Sequence, residues 1–167
     1  QYATVGGWVA TRSAGQASTG YGRIDALVEG VGVHQQGAAV DQAGQGVAER
    51  AEKLYAILPA EQRDAFFQLV LHPAKASAIV AAMNIAAGRN HLFAKQGRAS
   101  TNAAAERVRE LFREDQELTN TYNHELAGGK WNHLMDQAHL GQFDWEPPVV
   151  DAMPAIVEVA PANEARM

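Results

Sequence analysis

Ala104, Val108, Leu111, Asp115, Leu118, Tyr122 and Leu126 step along the chain by threes and fours. That rhythm puts all seven on one stripe of a helix, and such a stripe must be buried against other helices. The opposite face carries Arg107, Glu110, Arg113, Glu114 and Glu117, an ordinary solvated surface. Asp115 is the polar interruption in the seam. A carboxylate there needs a partner, because burying it unpaired is costly. Gly128-Gly129 ends the helix, glycine being free to adopt left-handed dihedrals.

Similar stripes precede this one. Val40, Ala43, Val47, Ala51, Leu54 and Leu58 mark a first helix. Pro59 cannot continue it but can open the next, with Glu61 in its first turn. That second helix spans Ala60 to His72; its Phe66, Phe67, Leu69, Val70 and Leu71 make it the most buried element expected. Pro73 ends or kinks it. A third helix spans Ala74 to Gln96, with Ala76, Ile79, Val80, Met83, Ala87, Asn90 and Phe93 as its stripe. Gly97 stops it, and Ser100, Thr101 and Asn102 are candidate N-caps for the fourth, Ala103 to Leu126. Asn90, like Asp115, is expected to pair with backbone or across helices. The expected fold is all-α, an antiparallel four-helix (or slightly larger) bundle.

Three regions follow. Residues 1–38 hold eight of the 15 glycines and sustain no period, so they read as an irregular, disordered segment. Residues 39–141 are the helical bundle with a polar connector. Residues 142–167, with Pro147, Pro148, Pro154 and Pro161, read as an extended tail toward a further domain, in which Ala155 to Val159 suits a β-strand. Starting at Gln1 and stopping at Met167, the chain reads as a piece of something longer.

Composition removes several functions. Fourteen basic against 19 acidic side chains give a net charge of −5, with no broad basic field for nucleic acid. There is no cysteine, hence no disulfide framework or thiolate metal site. No apolar run approaching the roughly 20 residues of a membrane span stands out.

The connector concentrates the chemistry. Lys130, Trp131, Asn132, His133, Asp136, Gln137 and His139 bring an ammonium, an indole, two amides, two imidazoles and a carboxylate into ten positions. Either these groups satisfy one another, with Trp131 packed on the bundle, or they line a site. His124, His133, Asp136 and His139 are metal-ligand types, but their spacing fits no familiar signature. A carboxylate pair for glycoside hydrolysis would draw on Asp136 with Asp144 or Glu146. His34, His72 and His91 stand alone. No cofactor is expected.

Three colinear stretches resemble glycoside hydrolase family 115, the xylan α-1,2-glucuronidases. They are Asp64-Ala65-Phe66-Phe67-Gln68-Leu69-Val70-Leu71-His72-Pro73-Ala74-Lys75-Ala76, Phe93-Ala94-Lys95-Gln96-Gly97-Arg98-Ala99-Ser100, and Ala127-Gly128-Gly129-Lys130-Trp131-Asn132-His133-Leu134-Met135-Asp136-Gln137 followed by His139-Leu140-Gly141, Trp145 and Pro147-Pro148. Leu134, Leu140 and Gln142-Phe143 depart from that family's pattern. The resemblance implies a multidomain, secreted or periplasmic enzyme that removes (4-O-methyl)glucuronic acid from xylan. This chain would be its helical bundle and the lead-in to a C-terminal β-sandwich. Its partners would be the catalytic barrel and sandwich of the same chain, glucuronoxylan for the whole enzyme, and a second copy in a homodimer. The catalytic carboxylates belong to the barrel, so no residue here is assigned as catalytic and the fragment alone is expected to be inactive. Lys130, Trp131, Asn132, His133, Asp136, Gln137, His139 and Trp145 are the motif residues, as substrate rim or as structure. The alternatives are a stand-alone helical interaction module and a small His/Asp metal-binding bundle.

Overall fold

A computed structural model of the chain describes residues 36–141 and 148–160. The glycine-rich segment expected over 1–38 falls outside it except for the last three residues, which already open a helix; Trp145 also lies outside the described residues. The described residues are helical, without strands, as the stripes require. Helix α1 is Gln36–Ile57, α2 is Ala60–Lys95, and α3 is Thr101–Asn120, prolonged by a π-helical turn Thr121–Glu125 and a 3-10 turn Leu126–Gly129.

The expected break at Pro73 does not occur. Between Ala60–Phe66 and His72–Lys95 the helix widens into a π-helical turn, Phe67–Leu71, and runs on. Proline has no N–H and its ring crowds the carbonyl four residues back. The wide turn, in which His72 N–H reaches back to the Phe67 carbonyl, supplies the room. Its extra residue also turns side chains outward: Leu69 and Val70 are exposed, and Ala60–Phe66 buries none of its residues. The most buried element is instead the second half of α2. There Ala78, Ile79, Val80, Ala82, Met83, Ile85, Ala86 and Ala87 face inward around most of the helix, because α1 and α3 flank it. By length and composition α2 could cross a membrane, which the sequence reading missed. In this fold its second half serves the core, while Leu69 and Val70 stay exposed.

The seam on α3 is buried as its spacing demands, with Ala105 in place of Ala104. On α1 the outcome differs. Ala51 is buried, but Val40, Val47 and Leu54 are exposed. The side turned to α2 is the small one: a Cβ on Gly44 would stand 3.6 Å from Ala78. Small residues permit close helix approach, and that contact wins over the broader aliphatic stripe.

The connections follow from unsatisfied helix ends. The Arg63 guanidinium reaches back from α2 and donates to the Leu58 and Ala56 carbonyls at 2.9 and 3.3 Å, closing the end of α1. None of the three candidate N-caps caps α3 with its side chain. The Thr101 hydroxyl donates to the Arg98 carbonyl at 2.6 Å, and Asn102 is used elsewhere, as described below. At the far end Ala127, Gly128 and Gly129 take φ of 50, 67 and 81° in succession, so the reversal starts one residue before the glycine pair.

Leu111→Ala, deep in the seam, is expected to lower unfolding free energy by about 2–5 kcal/mol. Val47→Ala on the exposed side of α1 is expected to change it by less than about 0.5 kcal/mol. Urea denaturation of both variants checks this; equal losses would mean that α1 is turned the other way.

Candidate functional site: a histidine bridge beside two wide turns

The two π-helical turns meet. Gln68, in the first, donates to the Tyr122 hydroxyl, in the second, at 2.7 Å. Tyr122 also packs against the rings of Phe67 and His72, centroids 6.2 and 4.7 Å away. A wide turn brings consecutive residues inward, which is how Tyr122 and Asn123 are both buried. Asn123 then receives the connector. Its amide donates to Asp136 Oδ1 at 2.9 Å, and its carbonyl oxygen accepts from the Met135 N–H at 3.0 Å.

The connector groups divide into two clusters. In the outer one, His133 holds φ +70°, unusual for a non-glycine residue. Its ring pairs with Asp136 Oδ2 at 2.6 Å and its N–H donates to the Asn132 side chain at 3.0 Å. Lys130 lies over the Trp131 ring at 4.8 Å, and Trp131 packs, partly buried, against the core. Trp131 and Asp136 thus tie the connector to the bundle. Lys130, Asn132 and His133 act within the connector, and Gln137 contributes only its backbone carbonyl, toward His139.

The inner cluster centres on His139. Its Nε2 faces both oxygens of Asp115, at 3.1 and 2.9 Å, and its Nδ1 faces Asp151 Oδ2 at 3.5 Å. The other oxygen of Asp151 accepts the N–H groups of His139 and Leu140, each at 2.6 Å. Asp115 is 2% exposed, so this is the partner that the polar interruption in the seam demanded. Nε2 hydrogen-bonds Asp115, while Nδ1 lies 3.5 Å from Asp151, so the second carboxylate acts on the ring by its charge. Hydrogen bonding to Asp115 raises the pKa of His139 above its ordinary 6.5, against the opposing effect of burial, and the charges of Asp115 and Asp151 add to the rise. Burial pushes His72 the other way, below 6.5; Asp115 opposes that shift and His139 adds to it.

Among the described residues, Asp115, His139 and Asp151 are the three that place ligand-type atoms within 4.8 Å of one another. The imidazole itself fills the space between the carboxylates, so the geometry is that of a charged bridge. Of the four metal candidates read from sequence, only His139 belongs to it. His124 is exposed, and His133 and Asp136 pair with each other. Asp144 and Glu146 lie outside the described residues.

Over residues 152–160 the chain forms no strand or helix. Two asparagines hold it. Asn90, fully buried, donates to the Val157 carbonyl at 2.9 Å and accepts its N–H at 2.7 Å, while also donating to the Thr101 carbonyl. Asn102 treats Val159 the same way, at 2.8 and 2.9 Å. His91 pairs with the Ala155 carbonyl at 2.8 Å, and Arg109 with Glu158. Each asparagine amide stands in for the edge of a neighbouring strand. Asp151 and Asn123 went unrecognised in the sequence, and Asn102 was read there only as a candidate N-cap. Only the placement of Asn90 and Asp115 on apolar faces was a signal there.

Asn90→Ala strips hydrogen bonds from buried backbone at both Thr101 and Val157 and is expected to cost about 1–3 kcal/mol, read by thermal unfolding. Trp131→Ala is expected to cost about 1.5–3 kcal/mol through lost apolar burial. A variant that keeps its melting temperature and loses xylan binding would show the indole to be a sugar platform. No protein-family model and no curated protein matches the chain.

Proposed function

We propose that this chain is the non-catalytic helical module of a xylan α-glucuronidase-like glycoside hydrolase. In this reading it braces a catalytic barrel and hands the chain on to a β-sandwich. The observation that carries it is where the three resembling stretches fall. Asp64 to Ala76 holds the first π-helical turn and Pro73. Phe93 to Ser100 is the turn between α2 and α3. Ala127 to Gly141 is the left-handed helix end and the hydrogen-bonded connector. All three are irregular backbone that a helical scaffold must hold in shape, and the outgoing chain is pinned beyond them.

A four-helix (or slightly larger) bundle fits this reading if a further helix covers the exposed Val40, Val47 and Leu54 side of α1. The same exposed stripe favours the second reading, a helical interaction module that works without a barrel. Substrate hydrolysis separates them. The 167-residue chain is expected to release no glucuronic acid from glucuronoxylan. A longer gene product carrying the barrel should release it with inversion, using two carboxyl groups roughly 6.5–9.5 Å apart around a water. Appreciable turnover by this chain alone, or an inactive longer product, overturns the proposal.

A further inference from the structure

We propose that the Asp115–His139–Asp151 bridge is a proton-operated latch. While His139 is protonated, it fastens the near end of the exit chain, at Asp151 and Ala152, to α3. When His139 loses its proton that end is released, and Asn90 and Asn102 keep hold of Val157 and Val159.

The geometry assigns the two ends different chemistry. At the near end the polar tie to α3 runs through charge, beside the buried Leu140 side chain and the Leu140–Ala152 backbone bond. Asp115, from α3, faces Nε2 of His139; Asp151, from the exit chain, faces Nδ1. His72, from α2, is the third titratable group beside them, and the Gln137 carbonyl is the remaining acceptor. A neutral imidazole has one N–H, so on deprotonation one carboxylate loses its donor and faces a nitrogen lone pair instead. For Asp115, buried and without another described hydrogen-bond partner, losing the ring's positive charge weakens the pair even where Nε2 keeps its proton. The local packing has little slack to absorb the change. Leu140 is fully buried, its carbonyl accepts the Ala152 N–H at 3.2 Å, and Gly141 turns at φ +81° directly against Ala152. At the far end the asparagine ties to Val157 and Val159 are neutral amides, which do not titrate; the titratable or charged groups there are His91, on the Ala155 carbonyl, and the Arg109–Glu158 pair.

The sign follows from linkage. A folded-state pKa above the ordinary value gives stability that is complete below 6.5 and is lost as pH rises through the raised value. His72 works oppositely. Its lowered pKa costs stability as pH falls below 6.5, so global unfolding sums two opposed terms and only a local readout isolates the latch.

The test is a two-dimensional NMR titration of the intact chain from about pH 5.5 to 9.5, bracketing the ordinary histidine range. The His139 ring is expected to titrate above 6.5. The Leu140 and Ala152 amides should shift or broaden with the same midpoint, while Val157 and Val159 stay in place. Asp151→Asn keeps an oxygen for the two backbone N–H groups and removes one charge, so it should lower the His139 midpoint. His139→Gln should leave Leu140 in its high-pH position at every pH. Titration of His139 at or below 6.5 overturns the proposal. So does a Leu140 amide indifferent to that titration, or a Val157 amide that moves with it.

Discussion

A carboxylate sits where the helix seam asks for an aliphatic side chain, and much of the outer structure depends on it. Asp115 occupies a position between Leu111 and Leu118 that is otherwise apolar, at 2% exposure. Its charge is tolerable there only with a cation beside it. His139 supplies that cation when its ring is protonated. Bringing His139 to α3 fixes where the connector must run, and Asp151 then draws the exit chain onto the same ring. One buried charge thereby organises two segments of backbone, the connector and the exit chain, around the helix that carries it.

The helices are arranged to make this approach possible. Extra residues in α2 and at the end of α3 create two wide turns, and these turns face each other through Gln68, Phe67, His72 and Tyr122. The second of them delivers Asn123 to the connector. The succession of left-handed residues at Ala127, Gly128 and Gly129 then reverses the chain within one turn. Gly129 is close to obligatory there, since a Cβ would stand 3.2 Å from the His124 carbonyl oxygen at a φ that side chains avoid. Neutral amides take over at the far end, where Asn90 and Asn102 read backbone two residues apart.

What the sequence made legible was periodic. The α3 seam, the close of the helix at Gly128-Gly129, the connection at Leu58-Pro59 and the demand of Asp115 and Asn90 for partners all follow from spacing and burial. What it concealed was set by competition between neighbours. Pro73 looked like a break because nothing local announces that a wide turn upstream will absorb it. The α1 stripe looked like core because aliphatic size outranks Gly44 and Ala48 in any pattern, yet close packing on Ala78 prefers the small side. His139 was singled out, but with the wrong company. Its partners lie 24 and 12 positions away on other segments, and no periodicity links them.

The account's central claim is that one imidazolium couples the helix seam to the exit chain. A double-mutant cycle on Asp115→Asn and Asp151→Asn, measured by denaturant unfolding near neutral pH, addresses it most directly. The two carboxylates act on the same ring, so removing either changes what the other contributes. The account predicts a coupling energy of about 1 kcal/mol or more between them. Additivity to within about 0.3–0.5 kcal/mol, as for independent sites, would contradict it.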